Sequence, residues 1–89
     1  MDKIKKAERI LKALANRRRL LIIKFLHRAG RSVPGSIAEE IKLSFKATSK
    51  HLGILFAAEI VEREQIGLRV DYFLKAPIHR LIESALESF

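Results

Sequence analysis

The chain has 89 residues, with 18 Lys and Arg against 10 Asp and Glu, a formal charge of +8, a pI near 10.3 and no cysteine. That length predicts one domain over residues 1–89, with a modest core that gains from a partner. Disulfides and thiolate metal ligands are excluded. No run of about 18 apolar residues is available to span a membrane, and no apolar leader precedes a small-residue cleavage site. A reducing cytoplasm is the expected compartment. Hydrophobic residues at 48% rule out disorder by composition. The basic balance points to an anionic partner, nucleic acid ahead of a membrane surface. The charge is uneven: residues 1–31 carry eleven Lys and Arg against two acids, and residues 59–89 carry four against six.

Residues 3–15 predict a first helix. Ile4, Ala7, Leu11 and Leu14 follow the spacing of one face, and Lys5, Lys6, Arg9 and Lys12 fall opposite. Asn16 is placed to cap a second helix, apolar over much of its circumference, which ends at Gly30. A short strand near Ser32 and Val33 leads into a turn at Pro34 and Gly35, and a third helix runs from Ser36 to Ile41. Ser44 caps a fourth helix, which runs to about Ala58. Thr48, Leu52, Leu55 and Phe56 form its inward face, with Lys46, Lys50, Gly53 and Ala57 opposite.

Helical spacing then gives way to alternation. Residues 60–66 and 69–75 predict a hairpin around Gly67-Leu68, with Gly67 at the first position of a type II′ turn. In that register Val61, Arg63, Val70, Tyr72 and Leu74 share a face, and Glu64 lies opposite Asp71, an unfavourable pair. Pro77 is placed in the first turn of a last helix, with Ile78, Leu81, Ile82, Ala85 and Phe89 as its apolar stripe. Four helices, a hairpin and a final helix make a mainly α (α+β) chain: a winged helix-turn-helix of about five helices with a two-stranded wing. In such folds the second helix of the pair enters the major groove of DNA.

The stretches "LKALANRRRLLIIKFL", "SIAEEIKLSFKATSKHLGILFAAEIVERE" and "GLRVDYFL" together resemble the ArsR-type winged-helix transcriptional regulators, over about residues 11–74. An Ala-Asx-x-x-Arg-Leu pattern is matched by Ala15, Asn16, Arg19 and Leu20. A Leu-Ser-x-x-x-x-Ser-x-His-Leu pattern is matched by Leu43, Ser44, Ser49, His51 and Leu52. The resemblance implies a homodimer built from the first and last helices, through Ile4, Ala7 and Leu11 together with Ile78, Leu81, Ile82, Ala85 and Phe89. Apolar stripes wider than a small monomer can cover agree with that, although the two stripes packing on each other is the plainer alternative. The chain departs from the family at Lys42, before the recognition helix, and at Glu59, after it; both are often Gly. If those backbones stay left-handed, each costs about 1 kcal/mol. Leu21, where the family has a polar residue, is read as an exposed leucine.

The expected DNA contacts are Ser44, Phe45, Lys46, Ala47, Ser49, Lys50 and His51 on the recognition helix, with Arg63 and Arg69 on the wing. Ser44 caps the helix, whose amides can meet a phosphate. Lys46 and Lys50 lie one turn apart and reach guanine or phosphate. Phe45 either touches a thymine methyl or folds into the core. Gly53 permits close backbone approach at some cost in helix stability. The wing is slightly acidic, so Arg69, nearest the tip, is its best contact.

Enzyme chemistry finds no support: the three histidines fall on three helices, and no phosphate-cradling Gly loop or HExxH is present. The family's cysteine-type metal sites lack their ligands at "SVPGSIAEEI". Its last-helix sites would have only His79, Glu83 and Glu87, which read better as a solvent-facing surface. No cofactor and no metal are expected, and any effector stays open. The resulting expectation is a cytoplasmic homodimeric repressor that binds double-stranded DNA at an inverted repeat. A winged helix used for protein or RNA contact, or for non-specific packaging of DNA, is the alternative.

Overall fold

The computed structural model describes residues 2–89. Helix α1 (Lys3–Leu14) starts where the Asp2 carboxylate accepts the Ile4 N–H at 2.9 Å. Helix α2 (Arg17–Ala29) starts where the Asn16 side chain accepts the Arg18 and Arg19 N–H groups at 2.9 and 3.1 Å, and ends at Gly30 with φ 87°. These satisfy amides that have no partner inside the helix.

Strand β1 (Arg31–Ser32) precedes α3 (Pro34–Ile41). The helix therefore begins at Pro34, two residues before the start expected from the sequence. Proline has a helical φ and lacks only an N–H that the first turn does not use, so Pro34 and Gly35 open α3 instead of forming a separate turn. Helix α4 (Phe45–Ala57) follows, with the Ser44 hydroxyl accepting the Ala47 N–H at 3.1 Å.

Both suspect positions are left-handed: Lys42 has φ 55° and Glu59 φ 60°. Each ends a helix in the same way. Leu43 N–H reaches back to Ala38 O at 3.0 Å and Lys42 N–H to Glu39 O at 3.3 Å. Ile60 N–H reaches Leu55 O and Glu59 N–H reaches Phe56 O, both at 3.0 Å. This paired closure satisfies the last carbonyls and turns the chain sharply. It offsets the steric cost of a side chain there, and at Glu59 the carboxylate adds a 3.0 Å contact with Lys75 Nζ.

Strands β2 (Val61–Ile66) and β3 (Arg69–Leu74) pair in the expected register, with Arg63 opposite Tyr72 and Glu64 opposite Asp71. Gly67 has φ 64° while Leu68 keeps a negative φ, as a type II′ turn requires. The sheet has three strands, ordered β1-β3-β2, because Arg31 and Ser32 pair with Phe73 and Tyr72. That third strand resolves the Glu64–Asp71 conflict. Arg31 Nη1 lies 3.0 Å from Glu64 Oε1 and 3.5 Å from Asp71 Oδ2, and Arg69 Nε lies 3.0 Å from Asp71 Oδ1.

Helix α5 (Arg80–Glu87) starts three residues beyond Pro77. The His79 backbone is extended and its Nδ1 accepts the Leu81 N–H at 3.1 Å, so the imidazole supplies the cap and sets the start. The core is built by Ile22, Ile23 and Leu26 of α2, Ile37 of α3, Leu52 and Leu55 of α4, and Ile60, Val61 and Ile82. Leu21 is half-buried against this core, not the exposed leucine expected from the sequence. On α1 the buried residues are Ile10, Ala13 and Leu14; Ile4 is 78% exposed and Leu11 51%. The expected stripe is therefore divided, with Leu14 in the core beside Ile10 and Ala13, where α1 meets α2 and α5, and Ile4 and Leu11 left at the surface.

Candidate nucleic-acid interface

Helices α3 and α4, joined by the Lys42–Ser44 turn, form the helix-turn-helix. Thr48, Leu52 and Leu55 bury one side of α4, and that burial fixes which side faces out. Lys46, Ser49, Lys50 and Gly53 are exposed on it; Ala47 and His51 are half-buried at its margin. Phe45 is 61% exposed, so it does not fold into the core. The Ser44 hydroxyl is occupied by capping.

Among the described residues, Lys46 and Lys50 have no ion-pair partner, and neither do Arg17 and Arg18 at the start of α2. The two helices meet at Arg19. Its Nε donates to Ala13 O at 2.6 Å and its Nη2 to Lys12 O at 3.4 Å, while Nη1 lies 3.3 Å from Nδ1 of His51. Burial, followed by the charges of Arg19, Arg18 and Lys50, holds the His51 imidazole below its usual pKa, so the ring is neutral at pH 7. Arg18 and Arg19 thus join the recognition helix in one cationic surface. Sequence reading missed them as site residues. The available signal was the run Arg17-Arg18-Arg19 directly after a helix cap.

The wing is arranged otherwise. Arg63 stacks on Phe56 of α4, with its guanidinium carbon 4.0 Å from the ring centroid. Arg69 is held by Asp71, whose side chain is only 6% exposed. Arg31 stacks on Phe73 at 4.7 Å while bridging Glu64 and Asp71. What the wing presents freely is apolar: Ile66 is 41% exposed and Leu68, at the tip, is fully exposed.

Of the residues expected at a dimer face, Ile4, Leu11 and Phe89 are exposed, Ala7, Ile78, Leu81 and Ala85 are half-buried, and Ile82 is 3% exposed and part of the core. Helices α1 and α5 do pack on each other, yet the pairing leaves Ile4 and Leu11 uncovered.

Among the described residues no three His, Cys, Asp or Glu side chains converge as a metal-ligating group. Helix α3 offers no thiolate, and on α5 the His79 Nδ1 accepts the Leu81 N–H. Among the described residues no helix is long and apolar enough to cross a membrane.

A three-stranded wing behind two helices, the second capped and cationic on its free side, defines a winged helix-turn-helix. Residues 16–63 match the model of the bacterial regulatory protein arsR family, and the chain belongs to that family. Among solved structures, HlyU from Vibrio cholerae is 31% identical with a TM-score of 0.84, over 100% of this chain and 98% of that one. The homodimeric winged helix-turn-helix DNA-binding domain of a possible ArsR-family transcriptional regulator from Mycobacterium bovis is 28% identical with a TM-score of 0.85, over 96% of this chain and 79% of that one. NolR from Sinorhizobium fredii is 27% identical with a TM-score of 0.82, over 97% of this chain and 82% of that one. No curated protein sequence matches the chain. The family is one of bacterial regulatory proteins, and the Mycobacterium bovis relative is described as a possible transcriptional regulator.

Proposed function

We propose that the protein is a homodimeric repressor that binds an inverted repeat in double-stranded DNA. The observation that carries this reading is the exposed, unpaired Lys46 and Lys50 on a capped helix whose other side is locked into the core. Ser44, Phe45, Ala47, Ser49 and His51 flank them, within reach of base edges and phosphates. Exposed Ile4 on α1 and Phe89 after α5 supply surface for a second copy. The homodimeric Mycobacterium bovis relative favours the same assembly. In a dimer the two α4 helices would enter successive major grooves about 34 Å apart. Occupying two grooves on one face of the duplex excludes other proteins from it, which is repression in its simplest form.

Selection from a random duplex pool at about 150 mM salt tests the proposal, since non-specific binding weakens steeply as salt rises. The expected result is a pseudo-palindrome with half-sites one helical turn apart. Recovery without any motif would leave a non-specific binder. A second reading concerns the wing alone: with its arginines engaged and Leu68 bare, it suits an apolar protein contact better than phosphate. Leu68→Ser would then leave duplex affinity unchanged.

A further inference from the structure

Among the described residues, Arg19 is the one side chain that hydrogen-bonds to both α1 and α4 from its seat on α2. Its guanidinium has only donors to offer. Facing it, Nδ1 of His51 must be the unprotonated nitrogen, and the ring proton sits on Nε2. Among the described residues no protein group meets that Nε2. The imidazole lies on α4 one residue from Lys50, half-buried, at the margin of the surface built for DNA.

We propose that Arg19 is a positioning residue: it locks His51 with Nδ1 as acceptor, so that α4 offers Nε2–H as an uncharged donor to an acceptor atom of duplex DNA, and it ties that donor to the last turn of α1. The proposal rests on the DNA-binding reading above. A helix studded with lysines binds phosphate at any sequence; one fixed, directional N–H adds geometry that a flexible ammonium lacks. The charged groups around the ring agree with a neutral donor. Arg18 and Arg19 approach from α2 and Lys50 from α4, all cations, and all disfavour a second proton. From α1 come only carbonyl oxygens through Arg19, since the Lys12 ammonium is paired with Glu8 at 3.6 Å. Because exposed Leu11 adjoins Lys12 and Ala13 on α1, a second copy settling on it would steady the same turn that holds Arg19.

The test has two arms. In the free protein, nitrogen-15 NMR of the imidazoles across pH 5–8 should show His51 with its proton on Nε2, titrating below the ordinary histidine range. Arg19→Ala should move that titration upward, and Arg19→Lys, which keeps the charge but cannot span three acceptors, should loosen the tautomer. In the second arm, affinity is measured for the duplex recovered by selection. His51→Gln keeps an N–H near Nε2 and should bind within about threefold of wild type, whereas His51→Leu should lose about tenfold. Wild-type affinity should change less between pH 8 and 6.5 than that of Arg19→Ala, which should rise as pH falls because an unlatched imidazole gains charge beside phosphate. Loss confined to one base pair makes the acceptor a base edge; uniform loss makes it a phosphate. Either supports the proposal. A proton on Nδ1, a His51 titration indifferent to Arg19, or wild-type binding by His51→Leu overturns it. Should Arg19→Ala fail to fold, the His51 variants leave the carbonyl bonds of Arg19 in place and decide the matter. If wild type selects no duplex, the functional reading fails and takes this inference with it; if wild type binds and His51→Leu binds equally, only the inference fails.

Discussion

Helix α4 and the wing both carry cations to the surface, and they hold them in opposite ways. On α4 the ammonium groups of Lys46 and Lys50 stand free, one turn apart, over a side chain set anchored by Thr48, Leu52 and Leu55. On the wing the three guanidiniums are all engaged: Arg63 with Phe56, Arg69 with Asp71, Arg31 with Glu64, Asp71 and Phe73. The difference teaches that local charge is a poor guide to where a polyanion binds. A cation already paired must break that pairing before it meets phosphate, so its net gain is small. The wing arginines are each engaged within the protein, whereas the α4 lysines have no ion-pair partner among the described residues.

The largest effect that separates the two regions is on affinity. Replacing Lys46 and Lys50 together with Ala should weaken duplex binding at least about 100-fold, since each contact in a major groove is worth about 1–3 kcal/mol and a dimer makes each twice. Circular dichroism should show a melting temperature close to wild type, because both side chains are exposed and unpaired. Arg63→Ala and Arg69→Ala should do the reverse: affinity within about threefold, stability lower by about 0.5–1 kcal/mol each. Titrations across salt sharpen the contrast. If about six phosphates are neutralised, wild-type affinity falls about 10³-fold between 50 and 200 mM salt, and the lysine variants should lose slope while the wing variants keep it. Equal loss from both sets would erase the distinction.

The next effect is confined to the wing. Asp71 is a buried carboxylate held by two arginines from different strands. Asp71→Asn keeps the size and removes the charge. Urea unfolding should show a loss of about 1–3 kcal/mol, as expected for hydrogen bonds to a charged group. Duplex affinity measured well below the melting temperature should barely change. A large affinity loss would mean that the wing's shape is read by DNA after all.

How much of this was legible in the sequence follows from how local each feature is. The hairpin register was legible because Gly67 and strict alternation fix it within fifteen residues. The two left-handed helix ends were legible as positions where glycine is expected and Lys42 and Glu59 stand. Which part of α1 enters the monomer core was not: Ile4, Ala7, Ile10, Leu11, Ala13 and Leu14 spread apolar character over a wide arc, and only packing with α2 and α5 buries Ile10 and leaves Leu11 exposed. The starts of α3 and α5 were misplaced because proline permits a helix start without saying which residue caps it. The ties from Arg19 to His51 and from Arg31 to Glu64 span 32 and 33 residues, and no spacing rule connects such pairs.

A smaller effect comes from acid. His51 has its pKa lowered in the folded protein, first by burial and then by Arg19, Arg18 and Lys50. The unfolded chain therefore takes up a proton near the ordinary value of 6.5 while the folded one does not. The stability linked to His51 is full above that pH and is lost as pH falls toward the lowered folded value. Melting temperatures from pH 7.5 down to 5 should decline more steeply for wild type than for His51→Gln. Matching variants on the wing, which carries no histidine, should leave the slope untouched.

The smallest effect asks whether α4 meets DNA with its backbone as well as its side chains. Gly53 sits on the exposed side of the helix, and a Cβ built there meets nothing within 4 Å. In the free protein Gly53→Ala has only the backbone entropy to act on, and it should raise stability by about 0.5–1 kcal/mol. That gain, read by urea unfolding, serves as proof that the variant is folded. Duplex affinity then carries the information. If the helix lies deep enough in the groove for its backbone to approach a phosphate or base edge at Gly53, the added methyl collides there and affinity falls while stability rises. If affinity is unchanged, the contact is limited to the first two turns, from Ser44 to His51, and the C-terminal half of α4 serves only to seat them. The wing's glycine does not allow the same test: Gly67 has φ 64°, so an alanine there is strained whatever touches it.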